Sequence, residues 1–406
     1  MQRRDISKAL VASATGVAFL PQSSQAQTCT PLCYPVTAAE TSIGVTPTNY
    51  AYPASPWVDP RRYGAKGDGV TSDTVAMQTA LNVAKAGNGR VVIPENFNAL
   101  CGALSLTFAG TRATEGLTIE GMSPNGSMIT QLGTPTALLT IAGSTPTANP
   151  NDLQLVLQNF TLQQAGLAKT ADGIVLHGVA NFRISNVIAR GFNRAIYLFS
   201  SLIGQIDQGT QATDSHYGLY CRTDGTAVPC NLVTCRDAKF SLNDTWGIDF
   251  DGGTQFNVTG CDLEGNGTAL NYATGGLAIR SHVSGTLGFA LISLNGVWFE
   301  SNHGQTMLVE SLGGNAFVSI ENTQFLSEDA GHSLLVQGCN YLAIRNSWAP
   351  SSNAKWDLTA SQSLLENSQS NLFTDIGVTN PTYINFATST SNYSGVWIGR
   401  VKVLAP

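Results

Sequence analysis

A short apolar pattern recurs along this chain, and that recurrence limits the fold more than any other feature of the sequence. Units of alternating apolar residues run into Asn or Gly and then into an aromatic or aliphatic residue. Leu157, Asn159, Phe160 and Leu162 make one unit, and Phe182, Ile184, Asn186 and Ile188 another. The pattern returns at 256–263, 292–299, 318–325 and 342–348. A second apolar segment precedes these units, at 173–176, 195–198, 247–250, 276–279 and 307–309. Taking the last apolar residue of each unit as a marker gives Leu162, Ile188, Leu263, Phe299, Phe325 and Trp348, with gaps of 26, 75, 36, 26 and 23. The gap of 75 fits three coils with a marker near Phe240, and the gap of 36 fits one coil with an insertion.

A period of this size, with two or three short strands per repeat, is the signature of a solenoid. Each coil turns alternate apolar residues inward and cannot bury them alone, so stacking makes the core continuous. Asn and Gly fall where the turns require left-handed backbone. An irregular sandwich explains the alternation but not the recurring order of strand, Asn or Gly, and aromatic. The predicted class is all-β, a single-stranded right-handed parallel β-helix.

Composition agrees. Only 12% of the 406 residues are charged, 41 are Gly, and Lys+Arg number 21 against 27 Asp+Glu. Few long side chains are available to cover amphipathic helices. The net charge of −6 and the lack of any like-charge block exclude nucleic-acid binding through bulk electrostatics.

The first residues read as an export signal. Arg3 and Arg4 precede an uncharged run over 9–20, and Ser24, Gln25 and Ala26 provide small residues for cleavage. The arginine pair resembles the twin-arginine motif, although Gln2 and Ser7 depart from it. Residues 1–26 are expected to be the signal, 27–56 a Pro/Thr/Ala-rich arm, and 57–406 the β-helix domain. The mature chain is expected in the periplasm or outside the cell, with no membrane span once the signal is removed. All eight cysteines follow residue 26, and Cys29 with Cys33, or two of Cys221, Cys230 and Cys235, are the nearest candidates for pairing. No Cys/His spacing suggests structural zinc. No cofactor is expected, and a metal is left open.

Trp57 begins ordered sequence. Thr71 or Ser72 is a candidate N-cap for a helix to about Ala86, with Met77, Ala80, Leu81 and Ala84 on one face and Gly87 or Gly89 as its stop. A short buried strand is expected from Arg90 to Pro94. The segment Asp59, Tyr63-Gly64-Ala65, Gly67-Asp68-Gly69, Thr71 and Asp73-Thr74 resembles the opening of the pectate-lyase-3 (rhamnogalacturonase/epimerase-like) domain, with Ser72 in place of its first paired Asp. The resemblance implies a right-handed parallel β-helix of the pectin-lyase-like kind whose N-terminal α-helix caps the core. It assigns no chemistry.

Four carboxylates stand out. Glu264 and Glu300 occupy the same place in two copies of an apolar-Glu-x-Asn motif, which stacking would bring about 4.8 Å apart. That spacing suits a pair of acid/base or nucleophile groups, while a turn brace is the structural alternative. Asp249 and Asp251 alternate with Ile248 and Phe250 and are expected outside the core on one strand. Asp172 lies in an Asp-Gly-Ile turn resembling the start of polygalacturonases, and His303 and His332 lie in turns. The Gly-His-Gly and Arg-Ile-Lys patterns of polygalacturonases and the Asp-Pro-His-Glu signature of alginate epimerases are absent. Tyr197, Tyr217, Tyr220, Trp246, Tyr272, Trp298 and Trp348 are candidates for stacking on sugars. Arg236, Lys239, Arg280 and Arg345 are candidates for acidic sugars. The reading is an exported β-helix that binds a polysaccharide or oligosaccharide in a lateral groove, either a glycoside hydrolase or lyase or a non-catalytic glycan-binding or matrix protein. A homo-oligomer is left open.

Overall fold

The computed structural model describes residues 33–385, apart from 88, 110–115, 134, 145–150, 224–228, 269–270, 272, 281–289, 311–315, 328–332, 350–354, 367–368, 371 and 379–383. Residues 1–26, read above as an export signal, and Cys29, Tyr272 and His332 lie outside the described residues. Every strand pairing among the described residues is parallel, and each strand typically pairs with the ones three before and three after it. This is a right-handed parallel β-helix with three faces.

In a representative coil, Ile174–His177 lies in sheet I, Val179–Ser185 in sheet II and Ile188–Arg190 in sheet III. Sheet III has 12 strands. Sheets I and II form one network of 21 strands, joined where Leu334–Arg345 and Lys355–Glu366 pass the corner unbroken. The five predicted leading segments all lie in sheet I.

The inward row of sheet III shows how register follows from side-chain alternation. Leu162, Ala189, Ala212, Phe240, Leu263, Phe299 and Phe325 stack in order, all buried. Phe240 takes the place expected for it, and Ala212 is the further coil within the gap of 75. Two markers shift by one residue. Ile188 pairs with Thr161, so Ala189 faces inward. Trp348 pairs with Gln324, and buried Ala349 takes the inward place. A one-residue slip moves a side chain to the opposite face, and the smaller alanine is easily overlooked beside its larger neighbour.

The corner between sheets II and III uses left-handed backbone coil after coil: Asn159, Asn186, Asp237, Asn322 and Asn346 have φ between 48° and 62°, and Gly209, Gly260 and Gly296 fill equivalent places. Asn and Gly tolerate this conformation best. After sheet III, a buried amide ladder crosses the coils. Asn243 Nδ2 donates to Asn266 Oδ1 at 2.9 Å, and Asn266 Nδ2 donates to Asn302 Oδ1 at 2.9 Å.

α2 (Thr74–Ala86) closes the first coils and buries Met77, Ala80, Leu81 and Ala84, as its periodicity predicts. Its start differs from expectation: residues 68–72 form a strand, and Asp73 is the N-cap. The Asp73 carboxylate turns away from the helix and accepts the Lys66 and Gly67 amides at 2.6 and 2.9 Å. The stop at Gly87 and the strand Arg90–Ile93 agree with the sequence. Within the segment read as an arm, α1 (Ala38–Ser42) docks on this cap. Glu40 is buried and accepts from Arg62 Nε at 2.6 Å and Tyr63 Oη at 2.9 Å. Arg62 also donates to the Tyr34, Pro35 and Tyr52 carbonyls.

Candidate functional site

The strand Trp246–Asp251 directs Ile248 and Phe250 into the core, so Asp249 and Asp251 point out from sheet I. They are nonetheless only 3% and 6% exposed. Charged groups are rarely that buried unless they are matched. Arg280 supplies the match for Asp249, its Nε reaching Oδ1 at 3.0 Å and its Nη2 reaching Oδ2 at 2.6 Å. Asp251 pairs in register with Arg280 on one side. On the other it follows the paired Cys221 and Phe250, beside Arg222. Arg280 in turn is in register with Glu310, completing a row of alternating sign: Arg222, Asp251, Arg280 and Glu310. Burial works against the Arg280 charge, but Asp249, with help from Asp251 and Tyr217, outweighs it and raises the guanidinium pKa.

Aromatic residues continue this face. Tyr220 is the in-register neighbour of Asp249, and Tyr197 precedes it in the same row. The Tyr220 ring lies 5.5 Å from Tyr197 and 4.9 Å from Tyr217. Burial and then the Asp249 charge push both the Tyr217 and the Tyr220 hydroxyl pKa upward, so both rings keep their protons. Arg194 lies 3.8 Å over Tyr197 and grips Asp172 with two hydrogen bonds, of 2.8 and 2.6 Å. Asp172 is thus an anchor for Arg194. Trp246, Ala278 and Leu308 form an apolar cluster on the other side of the carboxylates, and Arg280 lies 5.4 Å over the Trp246 ring.

Glu264 and Glu300 are in register on adjacent coils, as the repeat predicts. They sit in sheet III, however, on a different face from Asp249 and Asp251, so the four carboxylates form two separate pairs. Glu264 accepts from Lys239, which also reaches Asp262 at 3.2 Å. Glu300 accepts from the Trp298 indole N–H at 2.9 Å. The bracing role within the Glu-x-Asn motif belongs to the asparagine: Asn266 Nδ2 also reaches the Phe240 carbonyl, and Asn302 Nδ2 the Leu263 carbonyl.

The remaining charged candidates have partners within the chain. The basic residues read as isolated all meet carboxylates: Arg236 with Asp207, Lys239 with Asp262, Arg280 with Asp249, and Arg345 with Glu321. Asp207 also holds Arg183 at 2.6 Å, in a groove of about 670 Å³ on the outer side of sheet II. The His303 amide donates to the Asn266 carbonyl. Cys33 is disulfide-bonded, whereas Cys221, Cys230 and Cys235 are buried free thiols, so no pair forms among those three. Sequence reasoning missed Arg194, Arg222 and Glu310. Arg222 was detectable as the next outward residue after Tyr220, but Arg194 and Glu310 need the coil register. Among the described residues no group of three His, Cys, Asp or Glu side chains gathers to hold a metal, and no helix is long and apolar enough to cross a membrane.

No family model matches the chain. A capsule KN3-specific depolymerase of Klebsiella phage KN3-1 is 31% identical over 180 residues, covering 40% of this chain and 22% of that protein. The chain therefore matches about a fifth of that relative's length. Among solved structures, the Dettilon tailspike protein gp208 superposes with a TM-score of 0.58 at 12% identity, over 86% of this chain and 68% of the tailspike. The A-module of the Azotobacter vinelandii mannuronan C-5 epimerase AlgE4 gives 0.57 at 14% identity, over 86% of this chain and all of the module. ORF18 of Geobacillus virus E2 gives 0.56 at 15% identity, over 80% of this chain and 62% of that protein. Tailspikes and an epimerase module thus share the fold of this chain, a right-handed parallel β-helix.

Proposed function

We propose that this protein is a polysaccharide depolymerase, a glycoside hydrolase that takes its substrate across the outer face of sheet I. One observation carries the reading: Asp249 and Asp251 occupy successive outward places on one strand, both buried, beside a tyrosine-rich surface and flanked by Arg222 and Arg280. Outward places two residues apart on a strand are separated by about 6.5–7 Å. That suits an inverting pair with room for water between the carboxyl groups. Asp249, matched to Arg280, takes the base role and removes a proton from water as its oxygen attacks the anomeric carbon. Asp251 acts as the acid only in its protonated form, giving that proton to the departing glycosidic oxygen. One C–O bond forms, one breaks, and no redox partner is required. Tyr197, Tyr217 and Tyr220 offer ring faces to sugars, and Arg222 offers donors to acidic groups. The likeness to a capsule depolymerase supports a polymeric substrate, and the opening motif at 59–84 supports a pectate-lyase-3-type cap.

Purified capsular polysaccharides and exopolysaccharides, incubated with the full chain, test this reading. Cleavage should release new reducing ends without the ultraviolet absorbance of an unsaturated uronate. Asp251→Asn should lower kcat by about 10²–10⁴ while thermal melting is retained. Loss of turnover in Glu264→Gln or Glu300→Gln, with Asp251→Asn fully active, would move the chemistry to sheet III. Binding without cleavage of any polymer would make the protein a non-catalytic glycan binder.

A further inference from the structure

Sheet III carries a feature that the chemistry on sheet I leaves unused. Trp298 and Trp348 are 44% and 46% exposed, an unusual position for two large indoles. They share one outward row with Gln324 between them, since Trp298 pairs in register with Gln324, and Gln324 with Trp348. Two coil steps of about 4.8 Å set them about 9.6 Å apart. The Trp298 ring is held at its polar edge, because its indole N–H donates to Glu300, the next outward residue of the same strand. Preceding Trp298 in the row is Asp262, bridged by Lys239, which also reaches Glu264.

We propose that this row is a carbohydrate-binding platform for an extended β-1,4-linked hexopyranose chain. Trp298 and Trp348 each stack on the C–H face of a sugar one disaccharide apart, and Gln324 and Glu300 bond hydroxyl groups of the ring between them. A protein partner would favour a row of apolar side chains at its centre. Here aromatic faces alternate with an amide and are flanked by carboxylates and an ammonium, the mixture of apolar surface and convergent polar groups that suits a polyhydroxyl ligand. Three outward places in register on a parallel sheet form a straight track, which favours an extended chain over a coiled one. The platform binds and does not cleave, so it stands apart from the carboxylate pair on sheet I.

The test is titration of the full chain with cellohexaose and with β-1,4-mannohexaose, followed by tryptophan fluorescence and calorimetry. At least one of these should give saturable binding. Trp298→Ala and Trp348→Ala should each weaken it tenfold or more, and the double variant should abolish it. Unaltered circular dichroism and melting would show that both surface variants fold. The proposal is overturned if neither hexasaccharide binds the wild-type chain, or if binding survives the double variant. It is also overturned if the tryptophan changes alter sedimentation rather than binding, because a second copy of the chain would then cover the row. Platform binding that persists in Asp251→Asn separates this site from the cleavage site.

Discussion

Arg280 and Asp249 meet side-on, the Nε and Nη2 edge of the guanidinium donating to both carboxylate oxygens at 3.0 and 2.6 Å, although the in-register partner of Arg280 is Asp251. The arginine therefore crosses the strand diagonally, binding Asp249 through hydrogen bonds and acting on Asp251 through its charge. The pair is largely buried, with side-chain exposures of 16% and 4%. Arg280→Met should leave Asp249 buried without its partner and cost about 3–5 kcal/mol of stability by chemical denaturation. Adding Asp249→Asn should recover part of that loss. Equal stability of the single and double variants would show that the pairing carries no energy.

The two halves of the Glu-x-Asn motif should separate cleanly. Asn266 accepts from the Asn243 amide and side chain and donates to Asn302 and Phe240, all in the buried ladder. Asn266→Ala should cost about 3 kcal/mol or more, because several buried groups lose their partners. Glu264→Ala removes a half-exposed ion pair and should change stability by about 1 kcal/mol or less. Comparing denaturation midpoints checks both, and the reverse order would return the bracing role to the glutamate.

The cap should be sensitive to acid. Burial raises the Glu40 carboxyl pKa, but Arg62, Thr37 and Tyr63 outweigh it, and the result lies below the ordinary glutamate value of 4.5. A lowered folded pKa means that the unfolded chain binds the proton first. The stabilisation is therefore complete above 4.5 and is lost as pH falls below that value through the folded pKa. Melting temperature followed downward from neutral pH should show this loss. Glu40→Gln should be less stable at neutral pH, since Arg62 loses its charge partner, and should lack that part of the acid dependence.

The buried thiols should be chemically silent. Burial, reinforced at Cys101 by Asp73, pushes Cys101 and Cys339 up to about 12. It does the same at Cys261, against the opposing hydrogen bonds of nearby backbone groups. Thiolate is the reactive form. Iodoacetamide at mildly alkaline pH should leave these residues unmodified in the folded chain and label them in urea, as read by peptide mass spectrometry. Labelling of the native chain would contradict the packing.

The coil was readable because each turn of chain repeats one local rule: alternate apolar residues, then a residue that accepts left-handed backbone. Phe240 shows the strength of that rule, having been placed from spacing alone. Ala189 shows where it weakens, since a small inward residue beside a larger outward one gives no contrast. The outward direction of Asp249 and Asp251 followed from the same alternation. Their burial did not, because it depends on Arg280, 31 residues from Asp249. That contact exists only once the corner loops have fixed the register of the next coil. The separation of the glutamates from the aspartates has a similar origin: a repeat shows that two residues are equivalent, but not on which of three faces a given segment lies.

The asparagine ladder also bears on how such a chain can change. Asn266 and Asn302 are 36 residues apart in sequence yet form a single rung, while Asn243 and Asn266 form the previous rung with 23. The two rung contacts are nonetheless alike, each 2.9 Å. A coil thus behaves as a cartridge: its loops can lengthen or be exchanged while the amide contacts hold their neighbours in step. New surface chemistry can then arise one cartridge at a time, without redesign of the interior.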